Sequence, residues 1–262
     1  MNENIEQHYR HDELSFLESI DDLVGRVENE YRPMLTNFLN PRQQYIVTTI
    51  ANRYDSVQLE MNGGNSDSEM KRVLIYPDYY EPVPSDFLLT AFLIDYPQKF
   101  ATLTHGQILG TLMGSGIDRD VIGDIITDGS NWEFIVKQEM ADYIKTQIDH
   151  IGRTKVRLKE LNLDQLLEPR EEFETTNTTV ASLRLDAVIS ESFHISRHHA
   201  KELVDGGMVK VNWTENTHPD YELAIHDVIS VRGFGRSIIT AINGVTKKDK
   251  IRLELKLIKP NK

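Results

Sequence analysis

Ser182-Leu183-Arg184-Leu185-Asp186, Ser196-Arg197-His198-His199-Ala200 and Asp227-Val228-Ile229-Ser230-Val231-Arg232-Gly233-Phe234-Gly235-Arg236 mark out a C-terminal segment in which basic and polar residues punctuate a hydrophobic pattern. Leu183, Leu185, Val188 and Ile189, with Ala200, Leu203 and Val204, recur at helical spacing and predict two short helices sharing a core. Ser182 and Ser196 stand where helix N-caps are expected. Gly206-Gly207 follows the second helix, where a residue free to take positive φ turns the chain into a strand carrying Lys210 and Asn212. Met208 to Asn212, Val228 to Arg232, Ser237 to Ile242 and Ile251 to Ile258 alternate as strands.

The polar residues of this segment suit a phosphate-bearing ligand. A helix N-terminus presents unpaired N–H groups and partial positive charge, so Ser196, Arg197 and His198 form a natural phosphate contact. Lys201 lies four residues beyond Arg197 on the same helical face. Arg184 opens the preceding helix with a guanidinium able to pair bidentately with phosphate. Gly233-Phe234-Gly235 permits a tight turn that brings Arg232 and Arg236 near the ligand. The expected contact set is Arg184, Ser196, Arg197, His198, Lys201, Lys210, Asn212, Arg232 and Arg236. The competing reading is structural: a plain two-helix core in which Asp186 pairs with a neighbouring arginine.

Charge is distributed in keeping with that set. The 262 residues carry a net charge of −12, which by itself argues against a polyanionic partner. Residues 1 to 179 hold 16 Lys+Arg against 31 Asp+Glu, whereas residues 180 to 262 hold 13 against 10. The binding end is therefore expected in the C-terminal third, and the acidic remainder is expected to repel nonspecific RNA. The sequence shows no apolar run of membrane-spanning length and opens without a signal-peptide pattern, so membrane insertion is not expected and a cytoplasmic location is. The absence of cysteine excludes disulfides and thiolate chemistry.

Two breaks divide the rest: Tyr76-Pro77 through Pro82-Val83-Pro84, and Glu168-Pro169-Arg170 running on into Thr175-Thr176-Asn177-Thr178-Thr179. The expected fold class is α+β in three units: an N-terminal helical region with a β-hairpin (1–85), a middle domain (86–167) and, after a linker (168–180), the C-terminal domain (181–262). In the first, Leu14, Leu17, Ile20, Leu23 and Val27 predict a helix, Asn40-Pro41 starts a second, and Val57 to Met61 and Arg72 to Tyr76 predict strands joined through Gly63-Gly64. The middle unit reads strand (Phe87 to Ile94), helix (Gln107 to Met113), strand (Ile122 to Thr127), strand (Trp132 to Val136), helix (Glu139 to Ile151), strand (Lys155 to Leu161), with Thr104 and Gln107 as a capping box. This βαββαβ order predicts a ferredoxin-like sandwich, an architecture shared with RNA-recognition modules. Trp132 and Phe134 alternate onto one face, where such a module would carry stacking aromatics, although alternate aromatics on a central strand are more often core.

The C-terminal segment resembles the RNA-binding domain first seen in ribosomal protein S-four, and the whole chain resembles the YlmH family, which joins that domain to a long N-terminal region. Outside the domain the resemblance rests on Tyr96-Pro97, Lys99-Phe100, Leu103, His105, Leu109-Gly110, Leu112, Gly116-Ile117, Arg119, Gly123-Asp124-Ile125 and Ile151-Gly152-Arg153-Thr154-Lys155-Val156. Gly106 departs from it, standing where an arginine is expected and removing a possible RNA contact from the middle domain. The resemblance implies a non-enzymatic factor without cofactor that associates with ribosomal RNA, tRNA and the large ribosomal subunit. In relatives it is tied to rescue of stalled large subunits and, by genome neighbourhood, to cell-division proteins.

Enzyme and metal readings are weaker. Arg184-Leu185-Asp186 echoes the Arg-Leu-Asp of pseudouridine synthases, but there the triplet lies inside a large catalytic domain, and only 76 residues follow Asp186 here. Gly106, Gly110, Gly114 and Gly116 lack the Gly-Lys-Ser/Thr of a nucleotide loop and sit on a predicted helix, where close packing is the expected reason for them. His194 and His198 have i, i+4 spacing without a supporting metal motif.

Overall fold

Leu17, Ile20, Val24 and Val27 are buried along one stripe of a seventeen-residue helix, α1 (Leu14–Glu30), as their spacing requires. The computed structural model describes residues 9–167 and 173–258. The chain divides into two compact units, residues 1–170 and 171–262.

In the first unit α1 is followed by β1 (Met34–Leu39), α2 (Pro41–Ala51), β2 (Val57–Asn62) and β3 (Lys71–Pro77). The Asn40 side chain accepts from the Gln43 N–H at 2.9 Å, and Pro41 takes the first helical position, as expected. The three strands form a sheet in the order β1-β3-β2. β1 is the correction to a helix-and-hairpin reading. Its register with β3 shifts between Leu35 and Phe38, so the alternation that announces a strand is interrupted.

The same unit continues through β4 (Leu89–Asp95), α3 (His105–Gly114), β5 (Ile122–Thr127), β6 (Trp132–Lys137), α4 (Ala141–Gln147), a two-stranded ribbon of β7 (His150–Ile151) and β8 (Thr154–Lys155), and β9 (Arg157–Leu161). The sheet order β5-β6-β4-β9, antiparallel throughout, is that of a ferredoxin-like sandwich. α4 stops at Gln147, short of the expected Ile151, because the chain turns into the ribbon. Thr104 and Gln107 make the capping box that starts α3.

Phe134 is 1% exposed and packs against Phe92 at 5.5 Å between ring centroids, in the core that also holds Ile108, Leu112 and Ile144 of the two helices. Trp132 packs on the same cluster, so both aromatics lie on the helix side of the sheet and not on the open face of an RNA-recognition module. The opposite face, with Glu133 and Ile135, is also buried. A Cβ on Gly64 would stand 2.6 Å from Ile135 Cδ1 and 3.2 Å from Leu166 Cδ1, and the Glu133 carboxylate accepts the Leu167 N–H at 2.8 Å. The Gly63-Gly64 turn and the segment ending at Leu167 thus close the face.

Polar anchors fasten the two layers of this unit. The Asp124 carboxylate accepts the backbone N–H groups of Glu69 at 2.7 Å and Met70 at 3.1 Å. Gly123 beside it leaves room for the Phe38 ring, since a Cβ there would come within 2.8 Å of Cε1. The buried Arg72 guanidinium donates to the carbonyls of Thr36, Phe87 and Leu88 at 2.8 to 3.1 Å. A buried cation needs such partners, because desolvation disfavours its charged form and lowers its pKa.

The second unit begins with β10 (Phe173–Val180), then α5 (Leu185–Ser192), α6 (Arg197–Asp205), β11 (Val209–Val211), β12 (Thr214–Glu215), β13 (Val228–Val231), β14 (Gly235–Val245) and β15 (Ile251–Ile258). β10 corrects the reading of 168–180 as linker: Phe173 to Val180 pair residue by residue with Ile258 to Ile251. Residues 168–172 of that break lie outside the described residues. The six strands run β10-β15-β14-β13-β11-β12. Leu185, Val188, Ile189, Ala200 and Val204 of the helices share a core with Val209, Val211, Ile229, Val231, Ile239, Leu253 and Leu255, so both helices cover one face of the sheet. Ser182 is not the cap of α5. The N-cap is Arg184, and the Leu185 and Asp186 N–H groups donate to the carbonyls of Tyr221 and Pro219 at 2.9 and 3.0 Å.

Burial, followed by the neighbouring Glu69, pushes the Asp124 pKa up to about 6 against the pull of its two amide donors. Its folded pKa therefore exceeds its unfolded one, and its contribution to stability is greatest near pH 4 and is lost as pH rises through about 6. Asp124→Asn should lower stability by about 1–3 kcal/mol. In thermal unfolding from pH 4 to 7, the advantage of wild type over Asp124→Asn should shrink as pH rises; a pH-independent difference would contradict the assignment.

Candidate nucleic-acid interface

Asp186 is buried in the first turn of α5 and is gripped from two sides. Arg184 donates to it through Nε and Nη2 at 3.2 Å, and Arg197, the first residue of α6, does the same at 3.2 Å. Both arginine side chains are about half exposed, at 43% and 52%. Burial alone would raise the Asp186 pKa, but the hydrogen bonds from Arg184 and Arg197 outweigh it and hold the group below the usual carboxylate range. The pairing foreseen with one arginine is thus made with both, and it aligns two forked donor sets at the junction of the helices.

Ser196 caps α6 by accepting the His199 N–H at 3.1 Å. His198 is exposed and stands 3.4 Å from Glu202, while Lys201 is exposed one turn beyond Arg197. The helix ends as its glycines require: Gly207 takes φ +67°, its N–H donates to Val204 O at 3.0 Å, and the Met208 N–H reaches Leu203 O at 2.9 Å. Between β13 and β14, Gly233 and Gly235 both have positive φ. The turn they make sets Phe234 against Phe193 and His199, each 5.9 Å between ring centroids. The Gly-Phe-Gly turn is pinned to the helices, and Arg232 is exposed beside it.

The expected contact residues fall on two faces. Arg184, Ser196, Arg197, His198 and Lys201 belong to the helices. Lys210 and Arg236 point away from them, because Lys210, Ser230 and Arg236 pair across β11, β13 and β14 out of phase with the core residues Val209, Val211, Ile229 and Val231. Arg236 stacks over the Trp213 ring at 5.9 Å. Asn212 is a correction: its Oδ1 accepts the Val228 N–H at 3.0 Å and its Nδ2 donates to buried Asp227 at 2.8 Å, so its amide serves the fold. Trp213, Phe173 and Lys256 escaped the sequence reading, the first hidden in a turn and the second in a presumed linker.

The expectation for the glycines changes. A Cβ on Gly106, Gly110, Gly114 or Gly116 would meet nothing within 4 Å, so close packing does not explain these glycines. His194 lies outside the helices with φ +53°, which separates it from His198 on α6, and among the described residues no group of three or more His, Asp or Glu is arranged to hold a metal.

Two helices that hold Arg184 and Arg197 at their junction, packed on one antiparallel sheet and preceded in the chain by a ferredoxin-like unit, are features of an RNA-binding class of protein. Family models place it there: "YlmH, N-terminal" matches residues 13–80, "Putative RNA-binding domain in YlmH" matches 82–165, and "S4 domain" matches 183–229. The chain is 40% identical over 250 residues to the ribosome-associated protein quality control protein P2 of Bacillus subtilis (strain 168), covering 95% of this chain and 97% of that one. The solved structure of the cell division protein ylmH from Streptococcus pneumoniae is 33% identical, with a TM-score of 0.54 over 62% of this chain and 98% of that one. The chain belongs to the YlmH family.

Asp186→Asn should loosen both arginines and cost about 1–3 kcal/mol, the low end being favoured by the exposure of the guanidiniums. Since the folded pKa is depressed, the stabilisation is complete above the ordinary value of 3.8 and is lost only as pH falls through the folded pKa. The melting-temperature gap between wild type and Asp186→Asn should stay constant from pH 8 to 5, and a gap that opens or closes in that range would contradict the assignment.

Proposed function

We propose that this chain is a non-enzymatic RNA-binding protein that docks on structured ribosomal RNA or tRNA at the large ribosomal subunit, in the cytoplasm, during rescue of stalled translation. The observation that supports it most is the pair of half-exposed arginines set by one buried carboxylate at the junction of α5 and α6. Such a pair holds two bidentate donors at fixed spacing, which suits the phosphates of a folded RNA helix read by shape. The ribosome association in the name of the Bacillus subtilis relative agrees with that ligand.

The surroundings of Asp186 weigh against the pseudouridine-synthase alternative. Asp186 is buried and both its oxygens are engaged by arginines, so it is not presented to a base. The middle domain does not offer RNA the open sheet of a recognition module either, since that face is closed within its own unit. The name of the Streptococcus pneumoniae relative favours a second reading, a partner among cell-division proteins. Ribonuclease treatment separates the two, because a direct protein partner would be retained in pull-downs and one bridged by RNA would be lost.

Co-sedimentation with purified large ribosomal subunits across a salt series should show binding that weakens with salt. Arg184→Ala and Arg197→Ala should each weaken it and reduce the slope of log affinity against log salt by about 1. Binding unaltered by both substitutions would overturn the assignment of the helical face.

A further inference from the structure

The face of the C-terminal sheet opposite the helices carries cations paired with aromatic rings, and the proposed docking of RNA on the helices makes no use of it. One cross-strand row runs through Lys210, Ser230, Arg236, Ile258 and Phe173, on β11, β13, β14, β15 and β10 in turn. The next row contains Val228, Ile238, Lys256 and Thr175. Trp213 packs on Val228, Ile238 and Ile258, with the Arg236 guanidinium 5.9 Å from its ring centre. At the other end of the row the Lys256 ammonium lies 3.7 Å from the centre of the Phe173 ring, and Phe173 is 56% exposed.

The backbone at Trp213 is a second observation. Val211 and Thr214 pair across a two-residue turn whose central residues, Asn212 and Trp213, have φ of +48° and +67°. Both positions of such a turn demand positive φ, and the second is usually glycine. A tryptophan there is strained and is held by the Asn212 side chain, bonded to Asp227 and to the Val228 N–H. The turn sets a large ring on the sheet face beneath an arginine. Two acids lie beside these cations: Glu215 pairs across the strands with Lys210 at the edge of the sheet, and Glu254, two residues before Lys256, accepts from the Thr240 hydroxyl at 2.8 Å; Lys210, Arg236 and Lys256 outnumber them.

We propose that this face is a second RNA contact that takes unpaired nucleotides, stacking their bases on the Arg236–Trp213 pair and the Phe173 ring while Lys210 and Lys256 meet the phosphates. Bases stack on aromatic rings and on guanidinium planes alike, and a cation at each ring supplies the charge that a sugar-phosphate chain requires. Strands in a sheet are spaced by about 4.8 Å, so the row spans roughly 19 Å, enough for a few consecutive nucleotides. A second copy of the chain or another protein would need apolar or acidic complementarity, and the paired cations favour the polyanion.

This inference rests on the RNA-binding reading, and the test separates the two. The probes are a fluorescent oligouridylate of about twelve nucleotides and a fluorescent RNA hairpin, titrated into the full chain. Phe173→Ala combined with Lys256→Ala should weaken oligouridylate binding by roughly tenfold and leave hairpin binding within about twofold. Arg184→Ala combined with Arg197→Ala should do the reverse. Where Trp132 is replaced by phenylalanine, Trp213 is the one remaining tryptophan, and oligouridylate should quench its emission in a salt-sensitive way. Hairpin binding with neither oligouridylate binding nor quenching would overturn this proposal and leave the helical face standing. Failure of both RNAs and of the large subunit to bind would overturn both readings.

Discussion

One carboxylate, that of Asp186, decides how the C-terminal unit presents its charge. It sits where α5 begins and receives Arg184 from its own N-cap and Arg197 from the first turn of the next helix. Without it the two guanidiniums would lose the partner they share at the helix junction. With it their heads are held and their outer surfaces remain in solvent, which supplies the order that phosphate recognition needs at the cost of one buried acid. The rest of the unit supports this junction: the Tyr221 and Pro219 carbonyls take up the first amides of α5, Ser196 caps α6, and Phe234 clamps the hairpin turn against Phe193 and His199.

The first unit meets a different constraint, which is how to bury both faces of a four-stranded sheet. One face takes α3 and α4, with Phe92 and Phe134 at the centre. The other is closed by Phe38, the Gly63-Gly64 turn and the segment at Leu166-Leu167, and it is secured by Asp124 on two backbone amides and Arg72 on three carbonyls. A face closed in this way cannot stack bases. The architecture of an RNA-recognition module is therefore present without its RNA surface, and an RNA contact by this unit would have to use helices or loops.

The sequence was most legible where local signals and packing agreed. Leu14, Leu17, Ile20, Leu23 and Val27 announced α1, Asn40-Pro41 announced α2, and Gly207 and Ser196 marked the two ends of α6. It was least legible where pairing is nonlocal. Phe173 to Val180 looks like a polar linker because its Thr and Asn side chains bury little, and only the partner strand 251–258 makes it a strand. β1 was hidden by a shift in register. Of the candidate site, the helical residues Arg184, Arg197 and Lys201 were read with their placement. Lys210 and Arg236 were read as charges but not as members of the opposite face, because a strand's two sides are separated only once its register is known. Asn212 was misread, since an exposed-looking turn asparagine gives no sign in sequence that both ends of its amide are spoken for.

In the proposed function the α6 side of the C-terminal unit lies against ribosomal RNA. Placing a photoreactive amino acid at position 201 of the full chain, bound to large ribosomal subunits, tests it directly, with position 145 on α4 as the comparison. Docking through that side should give RNA crosslinks from position 201 that disappear when Arg184 and Arg197 are both replaced by alanine. Crosslinks from 201 to protein alone, with RNA crosslinks from 145, would contradict it.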